Sequence, residues 1–136
     1  MIQEAIYTRL QAVAGLTALV GTRVYPRLMP QNPTYPAITY LLIASPRERA
    51  MGSDPGIVHS RWQFDVWDND RDVVRDVTEQ LRKALERYRG TFTDQQSQTQ
   101  QWFDTFIDNV QEPGPELVDD KPVFRCIVDA IIHYSE

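Results

Sequence analysis

The hydrophobic pattern of residues 57–88 changes from the period of a strand to the period of a helix. Apolar and polar residues alternate from Ile57 to Trp67, and the even-numbered face is the apolar one. After Asp68, Asn69 and Asp70 the apolar residues recur at helical spacing. The residues predicted to face inward from this helix are Val73, Val77, Leu81, Ala84, Leu85 and Tyr88. This change of period predicts a half-solvated strand at 57–67 that leads into an amphipathic helix at about 70–88.

The same reasoning places further elements on either side of this unit. Apolar residues at helical spacing predict a helix at 2–13, ended by Gly15, and a short turn follows it. A short edge strand is expected at 23–28 because it contains Pro26, which cannot donate a ladder hydrogen bond. Further strands are predicted at 37–45, 102–110 and 123–134, the first of them central because both of its faces are apolar. Long loops are expected at 46–56 and 93–101.

The order of these elements predicts one α+β domain over residues 1–136. Neighbouring strands joined by loops are expected to pair antiparallel. The two apolar helix faces need a sheet face to cover. We therefore expect a mostly antiparallel sheet of four to five strands with two main helices packed on one face.

Composition and charge exclude several classes of protein. The chain has 14 basic and 19 acidic residues, so its net charge is −5. This balance disfavours a nucleic-acid binder, which needs clustered Lys and Arg to neutralise phosphates. Cys126 is the only cysteine, so it cannot form an intrachain disulfide. The sequence also predicts no signal peptide and no membrane span.

The chemically reactive residues form no catalytic pattern, and we expect no enzyme, cofactor or metal site. Asp68, Asp70 and Asp72 begin with the spacing of a calcium loop, but Val73 stands where that loop requires glycine. Acidic residues at a helix start are the better interpretation. Cys126 and His133 are an odd number of residues apart on one strand, so they face opposite sides of the sheet.

Long loops on a rigid scaffold are common positions for partner contacts. The loop at 46–56 carries several charged residues, and the loop at 93–101 is rich in glutamine. The residues predicted to contact other subunits or partners are Arg47, Glu48, Arg49, Asp54, Gln98 and Gln100.

The chain also resembles the tail-completion or tail-terminator proteins of long-tailed phages and prophages. The resemblance lies in the stretch Leu19-Val20-Gly21-Thr22-Arg23-Val24-Tyr25-Pro26, in the strand Tyr35 to Tyr40, and in the closing His133-Tyr134. It covers about residues 2–134 and contains no catalytic signature.

The resemblance implies a structural protein of the virion, assembled in the host cytoplasm and located at the head-proximal end of the tail. Such proteins close into a ring, expected to be a hexamer, that caps the tail tube and presents a surface to the head–tail connector protein. Its partners would be copies of itself, the tube protein and the connector, with DNA only as passing cargo. Two alternatives stay open: a head-side connector or stopper, and a small metal-assisted enzyme using Asp68, Asp70 and Asp72.

Overall fold

A mixed sheet and three helices make up the part of the chain that the computed structural model describes, residues 2–47, 51–52, 56–93 and 100–135. The elements in chain order are α1 (Ile2–Ala12), α2 (Ala14–Val20), β1 (Val24–Pro26), β2 (Ala37–Ala44), β3 (Ile57–Asp68), α3 (Arg71–Leu85), β4 (Tyr88–Thr93), β5 (Gln100–Gln111), β6 (Glu116–Val118) and β7 (Lys121–Ser135).

The sheet is built around two long central strands. Its order is β1-β2-β3-β7-β5-β4, and β6 pairs with the first residues of β7. All neighbours pair antiparallel except β1 and β2, which pair parallel. β3 and β7 pair along their length, from Ile57 opposite Ser135 to Asp68 opposite Phe124. The whole sheet curls into about half of a barrel.

The predicted fold class was wrong in the extent of the sheet and the number of helices. Strands hold 49% of the residues and helices 27%, so the sheet dominates the fold. The helix that the sequence did not predict is α2. It has seven residues, too few for the apolar period to distinguish it from a turn. β4 lies where the sequence predicted the end of a helix and the start of a loop. The parallel pairing of β1 also contradicts the expectation of antiparallel neighbours.

The core lies between the helices and one face of the sheet. The even-numbered side chains of β3 and β7 face it, and Phe64 is fully buried there against the ring of Tyr40. From α3 the inward residues are Val74, Val77, Leu81, Ala84 and Leu85. The predicted inward residue Val73 is partly buried and packs against the core, and Val74, which the prediction did not include, is fully buried.

The opposite face of the sheet, called here the second face, carries the odd-numbered residues of β3 and β7, most of them half-buried. None of the helices in the described ranges is long and apolar enough to cross a membrane.

Candidate interaction surface

Two of the predicted contact residues, Arg47 and Gln100, are described, and they lie at the same end of the sheet. Arg47 is exposed and forms an isolated bridge with Val58 of β3. Gln100 begins β5, and its Nε2 donates a hydrogen bond of 3.0 Å to Oγ1 of Thr91 on β4. The other predicted contact residues lie outside the described residues: Glu48, Arg49, Asp54 and Gln98. Their role therefore stays a prediction.

A projecting β-hairpin occupies the other end of the sheet, and the sequence did not single it out. Every residue from 108 to 122 is exposed. Within this stretch β6 pairs with the start of β7, from Glu116 opposite Val123 to Val118 opposite Lys121. We call residues 108–122 the hairpin arm. Leu117 near its tip leaves 78% of its surface exposed, which is unusual for a large apolar side chain.

The tip and the base of the hairpin arm are both fixed by local contacts. Asp119 and Asp120 at the tip have φ angles of 52° and 64°, as a two-residue type I′ turn requires. At the base, Asn69 donates a hydrogen bond of 2.9 Å to the carbonyl of Pro122. Arg71 lies 3.5 Å from the carboxylate of Glu112. The arm is therefore an ordered extension of the sheet.

The sheet has two unlike edges, and each is only half covered by its outermost strand. On one side β4 pairs with β5 from Gln100 to Thr105, and among the described residues no outer strand covers Phe106–Gln111, which pairs only with β7 on its inner side. On the other side β1 pairs with β2 from Ile38 to Tyr40, and in the same described part of the chain Leu41–Ala44 has no outer strand. Uncovered edge backbone is a template for pairing with another chain.

The second face carries charged residues that are already paired. Arg61 lies 2.6 Å from Asp108, and Arg125 lies 3.2 Å from Asp65. The Asp65 side chain is only 5% exposed, and the Arg125 guanidinium also stacks 4.9 Å from the Trp67 ring. Charges arranged in this way stabilise the sheet face.

Two histidines meet on the second face. His59 of β3 lies opposite His133 of β7, and their Nδ1 atoms are in hydrogen-bond contact. The rings meet edge to face with centroids 4.6 Å apart, and the ring of Phe106 contacts His133 on its other side. Burial, and then the neighbouring His59, lower the pKa of His133, while Asp104 opposite it acts in the reverse direction. His133 is therefore held towards its neutral form.

The acidic start of α3 acts as a helix cap. An Asp68 carboxylate oxygen accepts the backbone N–H of Asp70 at 2.7 Å, and the Asp70 carboxylate accepts that of Asp72 at 2.9 Å. Burial is the main cause that raises the pKa of Asp68. Among the described residues no group of three or more His, Cys, Asp or Glu side chains could hold a metal ion.

Cys126 is a core residue. It is 1% exposed, and burial raises the pKa of its thiol above the ordinary value, so the thiolate nucleophile is disfavoured. It faces the core while His133 faces the second face, as the odd separation predicted.

Sequence reasoning missed the hairpin arm because its signals are weak. The usual type I′ turn residues are Asn-Gly or Asp-Gly, whereas this turn is Asp-Asp. Pro113-Gly114-Pro115 separates β5 from a strand of three residues, β6, and three residues are too few for an alternating pattern to be recognised. The exposed apolar pair Leu117 and Val118 beside two aspartates was the signal that could have found it.

Comparison with known proteins gives one family match. The family model described as tail completion protein gp17 matches residues 4–119, most of the chain. No curated protein sequence matches the chain.

Two solved structures share the fold over nearly the whole chain. One is described as "Virion of native gene transfer agent (GTA) particle"; it is 17% identical with a TM-score of 0.62, and the match covers 99% of this chain and 95% of that one. A second solved structure is 13% identical with a TM-score of 0.56, and the match covers 96% of this chain and 92% of that one. At these identities the likeness shows the fold.

Proposed function

Because the chain belongs to the tail completion protein gp17 family, we propose that its copies close into a ring that caps the phage tail tube and joins it to the head connector. Family membership makes the protein a structural component of the virion tail and confirms the family resemblance found in the sequence. The ring, its hexameric size and the two joined partners are the proposed part.

The observation that carries the joining role is that accessible loops lie at both ends of the strands. Arg47 and Gly56, the described limits of one loop, lie at the end where β3 begins. The hairpin arm projects at the end where β3 finishes, beside Asn69. β3 has 12 residues, so the two ends are about 40 Å apart. A subunit with contact elements at two such distant ends suits a part held between two other proteins.

The unlike edges of the sheet support assembly into a ring. An edge that meets a different edge of the next copy makes a heterologous contact, which forms rings when the rotation closes. The solved structure of the GTA virion particle supports a place in a virion, since a chain in that particle has this fold. The charge of −5 per copy would make such a ring repel DNA passing through it, in keeping with DNA as cargo only.

Electron microscopy of particles made without this protein tests the capping role. Over-long or open-ended tails are the expected result, because an uncapped tube has no terminating ring. Tails of normal length that fail to join heads would contradict the terminator and favour the head-side stopper. Normal tails on normal heads would contradict both.

Light scattering tests ring formation. The mass of isolated capped tubes should exceed that of bare tubes by the mass of a closed ring of copies at the capped end. No association with tubes would contradict capping.

The proposed function includes no bond-making step. Calorimetry with calcium, magnesium and manganese addresses the metal-assisted enzyme directly. Micromolar binding of one of these ions that is lost in Asp70→Asn would support the metal-assisted enzyme, since Asp70 is the middle one of the three aspartates proposed for its site.

A further inference from the structure

The two half-covered edges of the sheet have complementary outlines. On one side the short strand β4 covers the half of β5 nearest Gln100. On the other side the short strand β1 covers the half of β2 nearest Ala37. β5 and β2 run in opposite directions because three antiparallel pairings separate them. The β4/β5 edge therefore projects at the end of the sheet where β5 begins. The β1/β2 edge projects at the opposite end, where β2 begins.

The uncovered stretches of the two edges overlap along the strands. The uncovered stretch of β2 begins at Leu41, which is opposite Gln63, and Gln63 is opposite Asp129, the partner of Asn109 on β5. It ends at Ala44, in the row where the uncovered stretch of β5 begins at Phe106. β2 has a register shift between Leu42 and Ala44, and β5 has one between Ile107 and Asn109. Both shifts lie close to the row that joins Ala44 to Phe106.

Each uncovered stretch exposes two large apolar side chains. Leu42 and Ile43 are 44% and 48% exposed on β2, and Phe106 and Val110 are 43% and 45% exposed on β5. Phe106 lies on the second face against His133, whereas Val110 is opposite the core residue Val128. The β5 edge therefore offers apolar contact on both faces of the sheet, as a neighbouring sheet edge would need.

We propose that the β4/β5 edge of one copy docks against the β1/β2 edge of a second copy, so that the steps interlock and the sheet continues from subunit to subunit. This contact rests on the proposed ring and specifies how it closes. When two copies lie side by side in the same orientation, β1 of one copy runs antiparallel to β5 of the other. This is because β1 is parallel to β2, and β2 and β5 run in opposite directions. The contact uses a different surface on each partner, so it leads to a polar ring and not to a two-fold dimer.

Paired cysteine substitutions test the contact in the full chain. Ile43→Cys and Phe106→Cys in one chain should give a ladder of cross-linked multimers with a short bismaleimide, while each single variant should give only monomer. Buried Cys126 supplies no competing thiol. The matched control combines Phe106→Cys with Arg75→Cys on the exposed side of α3, and it should give no ladder. Cross-linked dimers from either single variant would show a two-fold contact and overturn the proposed one.

Charged substitutions give a second, independent measurement. Leu42→Glu or Val110→Glu alone should lower the ring fraction by about tenfold or more, because each buries an unpaired charge at the contact. A mixture of the two variants retains one intact contact, so it should stop at pairs of chains. A mixture that forms full rings would overturn the contact.

The outcome is separable from that of the proposed function. Rings seen on tubes without the paired cross-link would contradict this interface alone. If the expected cross-links form but particles made without the protein have normal tails, the result would contradict the capping role alone. Absence of any assembly, with or without tubes, would contradict both.

Discussion

His59 and His133 lie opposite each other on the two central strands, with their Nδ1 atoms in hydrogen-bond contact on the second face. Two neutral imidazoles can share one proton between facing nitrogens, whereas two protonated rings would repel each other. The pair therefore couples the stability of the sheet centre to pH.

We predict that stability falls as the pH drops below about 6.5, the ordinary pKa of histidine. Burial and His59 lower the pKa of His133 in the folded state, so the unfolded chain binds the proton more readily. The contribution of His133 to stability is complete above its unfolded pKa and is lost as the pH falls through its lower folded pKa. Since one proton is involved and the ring is partly solvated, the slope should stay below about 1.4 kcal/mol per pH unit.

Urea denaturation of the natural chain and of His133→Gln between about pH 7.5 and pH 5 measures this effect. The variant should show a shallower decline over the range in which histidine titrates. Phe106→Leu, which changes the other neighbour of the His133 ring, serves as the control and should keep the pH dependence. Parallel curves for the natural chain and His133→Gln would contradict the assignment.

The N-cap of α3 provides a prediction on stability. Asp70→Ala should destabilise the protein by about 1 kcal/mol, because the Asp72 N–H loses its acceptor. Asp70→Asn or Asp70→Ser should recover most of the loss, since both can cap. Thermal unfolding measures the differences. A shift in melting temperature on adding calcium that disappears in Asp70→Ala would instead point to a bound ion.

The buried thiol gives a prediction on reactivity. Cys126 is 1% exposed and burial raises the pKa of its thiol, so the native protein should react slowly with Ellman's reagent at neutral pH. One thiol per chain should react rapidly in guanidinium chloride. Rapid reaction of the native protein would contradict the placement of Cys126 in the core and would remove the basis for leaving it in the cross-linking variants.

Local sequence pattern was enough to place the long elements. The alternation from Ile57 to Trp67, the helix that follows Asp70, and the last strand are confirmed with small changes at their ends. These elements have apolar periods that extend over many residues, and Asp70 supplies an unambiguous cap. The pattern also correctly separated Cys126 from His133.

Gly90 shows why part of the sheet was missed. It comes two residues after the helix predicted at about 70–88, where a glycine commonly ends a helix, but it lies inside β4. A Cβ atom at this position would come within 2.8 Å of the Tyr88 ring and 2.9 Å of the Phe103 ring. The glycine is there to make room for aromatic packing across strands, and nothing in the local sequence distinguishes that reason from a helix end.

The candidate surface depends on strand register, which local patterns do not specify. The alternation at 57–67 places His59 on the polar face of its strand, yet His59 packs against a residue 74 positions away because β3 pairs with β7. The shared level of Ala44 and Phe106 likewise follows from three successive pairings. The hairpin arm depends on a turn with uncommon residues. The contact loops predicted from composition are untested, because most of their residues lie outside the described ranges.

The exposed apolar tip of the hairpin arm provides the sharpest prediction on assembly. Leu117→Asp should leave the free energy of unfolding within about 0.5 kcal/mol of the natural value, because the side chain is 78% exposed and packs on little else. It should nevertheless reduce tail-to-head joining or tube capping, because a desolvated carboxylate opposes docking. Yields of complete particles, counted by electron microscopy, measure the effect.

The matched controls separate the arm from surface charge in general. Arg75→Ala, on the exposed side of α3, should leave particle yield unchanged. The double substitution Asp119→Asn with Asp120→Gly should also leave particle yield unchanged. It preserves the type I′ turn, because asparagine and glycine favour the positive φ angles found at these two positions. Full particle yield from Leu117→Asp would show that the tip contacts no partner, while a loss shared by Arg75→Ala would show that the effect is not specific to the arm.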